Sequence, residues 1–407
     1  MRFRPVLLRL SGCRNRSPLV PVQAHRFFSQ LQPKPRRDDS GWSSFGIAFD
    51  IDGVILRGRV PVGGSPQALR RLYDDSGALK VPFLFLTNGG GVPESRRAVE
   101  LSGLLGVDIL PSQVVQGHSP FKNLLNRYEN ELIVATGKGE PAVVMSEYGF
   151  KKILSLDEYA SYFENIDPVS QYKTWTTCGT ETGHANSLEP NNDILSEKVK
   201  AAFVVSDPVD WGRDIQVLCD ILKSGGLPGQ KCSDQPALYF AADDLEYQAA
   251  FPTERLGMGA FRIALECIFN SIHYRPLEYT SYGKPNPFVF KNAERILTQI
   301  QLNHHGEDVK SHSFRTIYMV GDNPSVDIKG AQQVLPLLQL QLLNNITERF
   351  GDKRLSHAGF WFQAGHPWFS ILTRTGVFRG KDNDPDFPAD MVVDTVEEAV
   401  EFILHRE

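Results

Sequence analysis

From Phe45 onward the chain alternates short apolar runs with amphipathic segments, the pattern of strand–helix–strand units over a largely parallel sheet. Residues 45–50 read as a strand, 66–72 as a helix and 81–86 as the next strand, which stops at Thr87-Asn88-Gly89-Gly90-Gly91. The spacing then predicts a helix over 93–105 and a short strand at 114–116. Gly117-His118-Ser119-Pro120 follows and suits a hinge. A second alternating block has strands at 131–135, 202–205 and 236–241 and a helix over 212–223. A helix over 258–272 is expected to return the chain to the first unit. Beyond it, Gly283-Lys284-Pro285-Asn286-Pro287 precedes a helix, and a strand over 316–320 ends in Gly321-Asp322. A helix over 396–404 closes the chain. Residues 165–197, rich in Asn, Thr, Ser and Gly, read as a long surface loop, and His304, His305 and His312 as solvated loop positions.

Composition fits this α/β picture, since 407 residues with 41% hydrophobic and 22% charged content suffice for two or three globular domains. Charge changes it. The net of −5 hides a basic N-terminus, in which Arg and Lys recur but no acidic residue precedes Asp38. The rest is more acidic than the whole, and such a body has no electrostatic footprint for nucleic acid. Arg2, Arg9 and Arg16 recur every seven residues, and Arg26-Phe27-Phe28-Ser29 is similar to a mitochondrial processing site cut after Phe28. The N-terminus therefore reads as a transit peptide, mitochondrial rather than chloroplast because Arg outweighs Ser and Thr. No apolar run reaches membrane-spanning length. Cys13, Cys178, Cys219, Cys232 and Cys267 show no zinc spacing, and Cys219 and Cys267 are expected as small buried hydrophobes.

The chemistry concentrates at strand ends. Asp50-Ile51-Asp52-Gly53 closes the first strand, and two aspartates spaced i, i+2 on a strand point the same way. Two adjacent carboxylates resist joint ionisation unless a cation or shared proton offsets them. Thr87-Asn88, Lys284, and Asp322 with Asp327 occupy the ends of other elements, and in a doubly wound sheet those positions converge on one crevice. Singly, each also reads as a turn or helix cap. Jointly they place several carboxylates beside one lysine, a set that calls for a hard divalent cation such as Mg²⁺ and suits phosphoryl transfer. Gly89-Gly90-Gly91 lacks the full dinucleotide-binding spacing.

These segments resemble the four motifs of the haloacid dehalogenase superfamily: D-x-D-G-V at Asp50–Val54, T-N at Thr87–Asn88, G-K-P at Gly283–Pro285 and G-D-x-x-x-x-D at Gly321–Asp327. The long interval between Asn88 and Lys284 is similar to the NagD-like type IIA branch, whose cap is inserted there, and the N-terminus resembles that branch's mitochondrial members. The resemblance implies a doubly wound parallel-sheet core in two parts, 41–118 and 256–407, around an α/β cap at 119–255, preceded by a transit segment at 1–40. It implies Asp50 as nucleophile, Asp52 as acid and base, and Thr87, Asn88 and Lys284 as phosphate-binding groups. Mg²⁺ would be held by Asp50, Asp52 through its carbonyl, Asp322 and Asp327. An acid at position 52 favours phosphate-ester over dehalogenation chemistry. The implied partner is a small phosphorylated metabolite, and a homo-oligomer is compatible with the sequence. Phosphotransfer and a catalytically idle binding protein are the alternative readings. Val204-Val205-Ser206-Asp207 and Thr375-Gly376-Val377 echo the branch. Ala241-Ala242-Asp243-Asp244 departs from its usual Asn-before-Asp pattern and reads as a substrate contact or a plain helix cap.

Overall fold

The computed structural model describes residues 43–173, 196–231, 233–305, 314–333 and 368–407. The transit segment 1–40, most of the 165–197 loop, His312, Cys13, Cys178 and Cys232 lie outside the described residues.

The chain lays down β1 (Phe45–Phe49), β2 (Phe83–Leu86) and β3 (Val114–Val115), then crosses to a second sheet. That sheet is built from β4 (Leu132–Thr136), β5 (Lys152–Ser155), β6 (Ala201–Val204), β7 (Ala237–Phe240) and β8 (Thr280–Ser281). The chain returns with β9 (Thr316–Gly321), β10 (Trp368–Thr373) and β11 (Met391–Val393). The first sheet has the order β11-β10-β9-β1-β2-β3, the second β8-β7-β6-β4-β5, and all their pairings are parallel.

Every residue of β1 is buried, as a central parallel strand covered on both faces requires. Ile47 and Phe49 face one cluster, with Ala98 and Leu101 of the helix Glu94–Leu105 and Val400 and Ile403 of the helix Val396–Arg406. Ala48 faces the other, with Phe290, Ala293 and Leu297 of the helix Pro287–His305. An edge-to-face pair at Phe49–Phe83 (5.9 Å) ties β1 to β2, and Phe83–Phe85 (5.7 Å) continues the contact along β2. Thr395 starts the last helix by accepting the Glu398 amide on its side chain. No helix among the described residues is long and apolar enough to cross a membrane.

The second sheet has its own core, from Phe121 to Leu277. The helix Met258–Ile272 belongs to it. Met258, Phe261, Leu265 and Phe269 pack there, with Phe261 edge-to-face on Trp211 at 5.5 Å. The cap expected to end at 255 therefore runs on to β8, which pairs with β7. An apolar stripe announces that a helix is buried but not which sheet it is buried against. Cys219 is buried as expected, whereas Cys267 is exposed on the outer face of that helix. His304 and His305 end the helix Pro287–His305 rather than lying in a loop.

Candidate active site

β1 is the point where the first sheet's strand order reverses, and Asp50 follows it directly. Thr87 follows β2 and Asp322 follows β9, so three candidate groups stand at carboxyl ends of neighbouring strands, where such sheets bind ligands. The Asp50 amide donates to the Val320 carbonyl at 2.9 Å, which carries the pairing one residue past the strand. Lys284 arrives where the chain returns from the second sheet, and its ammonium lies 2.8 Å from Asp50 Oδ1 and 2.6 Å from Asp327 Oδ1. Asp50, Asp322 and Asp327 are all buried and offer ligand oxygens within 4.8 Å of one another.

The loops are shaped to these carboxylates. The amides of Asp322 and Asn323 both donate to Asp327 Oδ2 at 3.1 Å, and the Val377 amide donates to Asp322 Oδ2 at 2.7 Å. Thr375 Oγ1 donates to the Gly53 carbonyl at 2.6 Å, tying the loop after β10 to the Asp50 loop. Gly53 turns that loop at φ 91°, and a Cβ on Gly53 or Gly376 would collide with the Asp322 carboxylate.

Asp52 corrects a geometric premise. The strand ends at Phe49, so strand alternation does not govern Asp50 and Asp52. Asp52 is half-buried in the turn, outside the three-carboxylate cluster, though it lines the same cavity. Asn88 was expected to act through its backbone, and its side chain is engaged elsewhere. Its Nδ2 donates to the Lys284 carbonyl (2.9 Å) and to Asp244 Oδ1 (2.7 Å), and its Oδ1 accepts the Lys284 amide (2.8 Å). The side chain is spent, which leaves only the backbone of Asn88 for a ligand. Thr87 is buried, with Oγ1 accepting the Gly89 amide at 2.9 Å.

Burial pushes Asp50 up to about 7 against the pull of Lys284, and Asp327 pushes the same way. Asp322 is raised well above the usual carboxylate range by burial and then by Asp50 and Asp327. Burial raises Asp52 too, against Arg97 and Lys138. Burial disfavours the charged form of Lys284, yet Asp327 and Asp50 outweigh it and hold its pKa above the ordinary value. The Asp50 carboxyl takes up a proton on folding, so its stabilisation is complete below about pH 4 and is lost as pH rises through 7, and burial shifts Asp322 and Asp52 in the same direction. Without divalent ions, the melting temperature is therefore expected to fall between pH 5 and 8.5, and Mg²⁺ to raise it most at the higher pH. Thermal melts across that range check this, and a flat profile contradicts it.

The second sheet closes the site with Lys138, Asp207, Asp244 and Tyr247, leaving a cavity of about 40 Å³. That is room for an ion or a few waters. Sequence reasoning passed over Lys138 and left Asp244 between a substrate contact and a plain helix cap. Lys138 lies 2.7 Å from Asp207 Oδ2 and 5.3 Å above the Tyr247 ring. It sits just past β4 in Thr136-Gly137-Lys138-Gly139, the same strand-end signal that marked Asp50.

Comparison with known proteins agrees with this layout. Residues 47–151 match the family model described as haloacid dehalogenase-like hydrolase, and residues 281–334 a second model of the same kind. A mitochondrial hydrolase of Saccharomyces cerevisiae is 29% identical over 386 residues, covering 88% of this chain and 95% of its own length. A Schizosaccharomyces pombe protein described as a cardiolipin synthase and mitochondrial hydrolase fusion is 30% identical over 365 residues, 88% of this chain and 53% of that protein. In fold, the chain is similar to a possible sugar phosphatase of the superfamily from Cytophaga hutchinsonii (TM-score 0.55, 14% identity, 86% and 93% covered). Two family models, one over each part of the first sheet, and relatives matched along most of the chain make this protein similar to the haloacid dehalogenase-like hydrolases.

Proposed function

We propose that this hydrolase is a Mg²⁺-dependent phosphatase of small organic phosphate esters, acting through an aspartyl-phosphate on Asp50. The observation that carries it is the buried set of Asp50, Asp322 and Asp327 around a single lysine. Three carboxylates against one ammonium leave a negative surplus in a buried site, and all-oxygen donors suit a hard cation. Asp50, Asp322, Asp327 and the carbonyl of Asp52 would hold that ion. When bound, it offsets the charge of the phosphoryl group and lowers the Asp50 pKa so that the carboxylate is ionised.

The chain's own groups then divide the work. An Asp50 oxygen attacks phosphorus and the bond to the ester oxygen breaks. Asp52, whose pKa burial raises, gives a proton to the departing oxygen and later removes one from the water that cleaves the intermediate. Thr87 Oγ1 and the Asn88 amide hold phosphoryl oxygens, and Lys284 balances their charge while fixing Asp50 for attack. Closure of the second sheet excludes water from the first step and limits substrates to small molecules. The basic N-terminus and the names of the yeast relatives support a mitochondrial location.

The test is release of inorganic phosphate from a panel of small esters. Hydrolysis is expected with Mg²⁺, to fall to background with a chelator and to return when Mg²⁺ is restored. Absence of hydrolysis across the panel with Mg²⁺ present overturns the reading.

A further inference from the structure

The chain crosses between the sheets twice, outward at Gly117 and back at Gly283, and both glycines press on the end of β7. A Cβ on Gly117 would come within 2.5 Å of the Ala241 carbonyl oxygen, and one on Gly283 within 2.6 Å of the same atom. Beside this crossing Asn88 grips both polar groups of Lys284's main chain, accepting its amide at 2.8 Å and donating to its carbonyl at 2.9 Å. The other Nδ2 hydrogen goes to Asp244 Oδ1 at 2.7 Å.

Asp244 is fixed to the second sheet's unit. Its carbonyl accepts the Gly259 amide at 2.8 Å, at the start of the helix Met258–Ile272, and its neighbour Asp243 is paired to Arg262 of that helix at 2.5 Å. The Asp244–Asn88 bond therefore joins the second sheet's unit to the residue that holds the lysine. A buried side-chain amide with both N–H groups and its oxygen engaged has one orientation, and losing one partner loosens it.

We propose that Asp244 is a positioning residue, whose bond to Asn88 sets Lys284 against Asp50 and Asp327 only when the second sheet is seated on the first. Catalytic competence is then coupled to closure, so the site is assembled only around an enclosed substrate. This rests on the reading of Lys284 as a phosphoryl-transfer group, and the test separates the two.

Asp244→Ala is expected to lower kcat about 10- to 100-fold, with KM for a small ester changed far less, because the lysine is misplaced rather than removed. Asp244→Asn keeps an acceptor oxygen at the same point and is expected to recover most of that loss. Hydrogen exchange gives a readout independent of activity. In Asp244→Ala, a peptide containing the Lys284 amide is expected to exchange faster, while one covering Leu132–Thr136 does not change. Equal exchange in the variant and the natural protein overturns the proposal, whether or not any ester is hydrolysed. So does an Asp244→Asn variant as impaired as Asp244→Ala, or an Asp244→Ala variant with unchanged kcat. Faster exchange at Lys284 in a protein that hydrolyses no ester upholds the coupling and rejects only the phosphatase reading.

Discussion

Asp50→Asn is expected to remove ester hydrolysis by roughly four or more orders of magnitude while leaving the protein folded. The amide is isosteric, so β1 and its packing are unaffected, but amide oxygen is too weak a nucleophile to form the acyl-phosphate. The electrostatics make the folding half of this result specific. Asp50 is buried beside Asp322 and Asp327, with one lysine between them, and its pKa is pushed up to about 7. In the absence of a divalent ion a neutral Asn relieves that repulsion, so at pH 8 the variant is expected to melt no lower than the natural protein. Addition of Mg²⁺ is expected to stabilise the variant less, because a ligand oxygen has lost its charge. Phosphate release and thermal melts with and without Mg²⁺ check both halves. A variant that turns over within tenfold of the natural rate removes Asp50 from the nucleophile's role.

The positions legible in the sequence were those announced by the end of an apolar run. Asp50, Thr87 and Asp322 each follow such a run, and parallel strands of one sheet bring those ends together whatever lies between them. Lys284 and Asp327 were legible by their motifs, and the structure puts their side chains 2.6 Å apart. What stayed hidden depends on partners distant in sequence. The helix Met258–Ile272 showed its apolar stripe, but only packing on Trp211 decides that it belongs to the second sheet. Asp244 lies four residues past β7 with no strand-end signature, and its meaning comes from Asn88, 156 residues away. The turn at Gly53 that takes Asp52 out of the carboxylate cluster also escapes a strand-alternation argument, since alternation holds only while the strand continues.

Lys284→Met tests the same charge balance from the opposite side, with a cost expected in both stability and rate. Lys284 is 1% exposed and its ammonium touches Asp50 and Asp327, so methionine fills the volume while leaving buried carboxylates without their counter-ion. Breaking a buried pair this way costs about 3–5 kcal/mol. The sign of the pH dependence follows from the groups left behind. The lysine's pKa is raised above its ordinary value, so its own contribution is constant between pH 5 and 8. Asp50, raised to about 7 by burial, is largely protonated at pH 5 and forced towards ionisation at pH 8, and burial raises Asp322 in the same direction. The loss of stability is therefore expected to be clearly larger at pH 8 than at pH 5 when divalent ions are absent, and to shrink when Mg²⁺ takes over part of the neutralisation. Hydrolysis is expected to fall by about three orders of magnitude even with saturating Mg²⁺, since the ammonium also orients Asp50 for attack. Urea denaturation at both pH values, with and without Mg²⁺, separates this from simple loss of packing, because a packing defect costs the same at pH 5 and pH 8. An equal loss at the two pH values means that the aspartates are not the lysine's principal load.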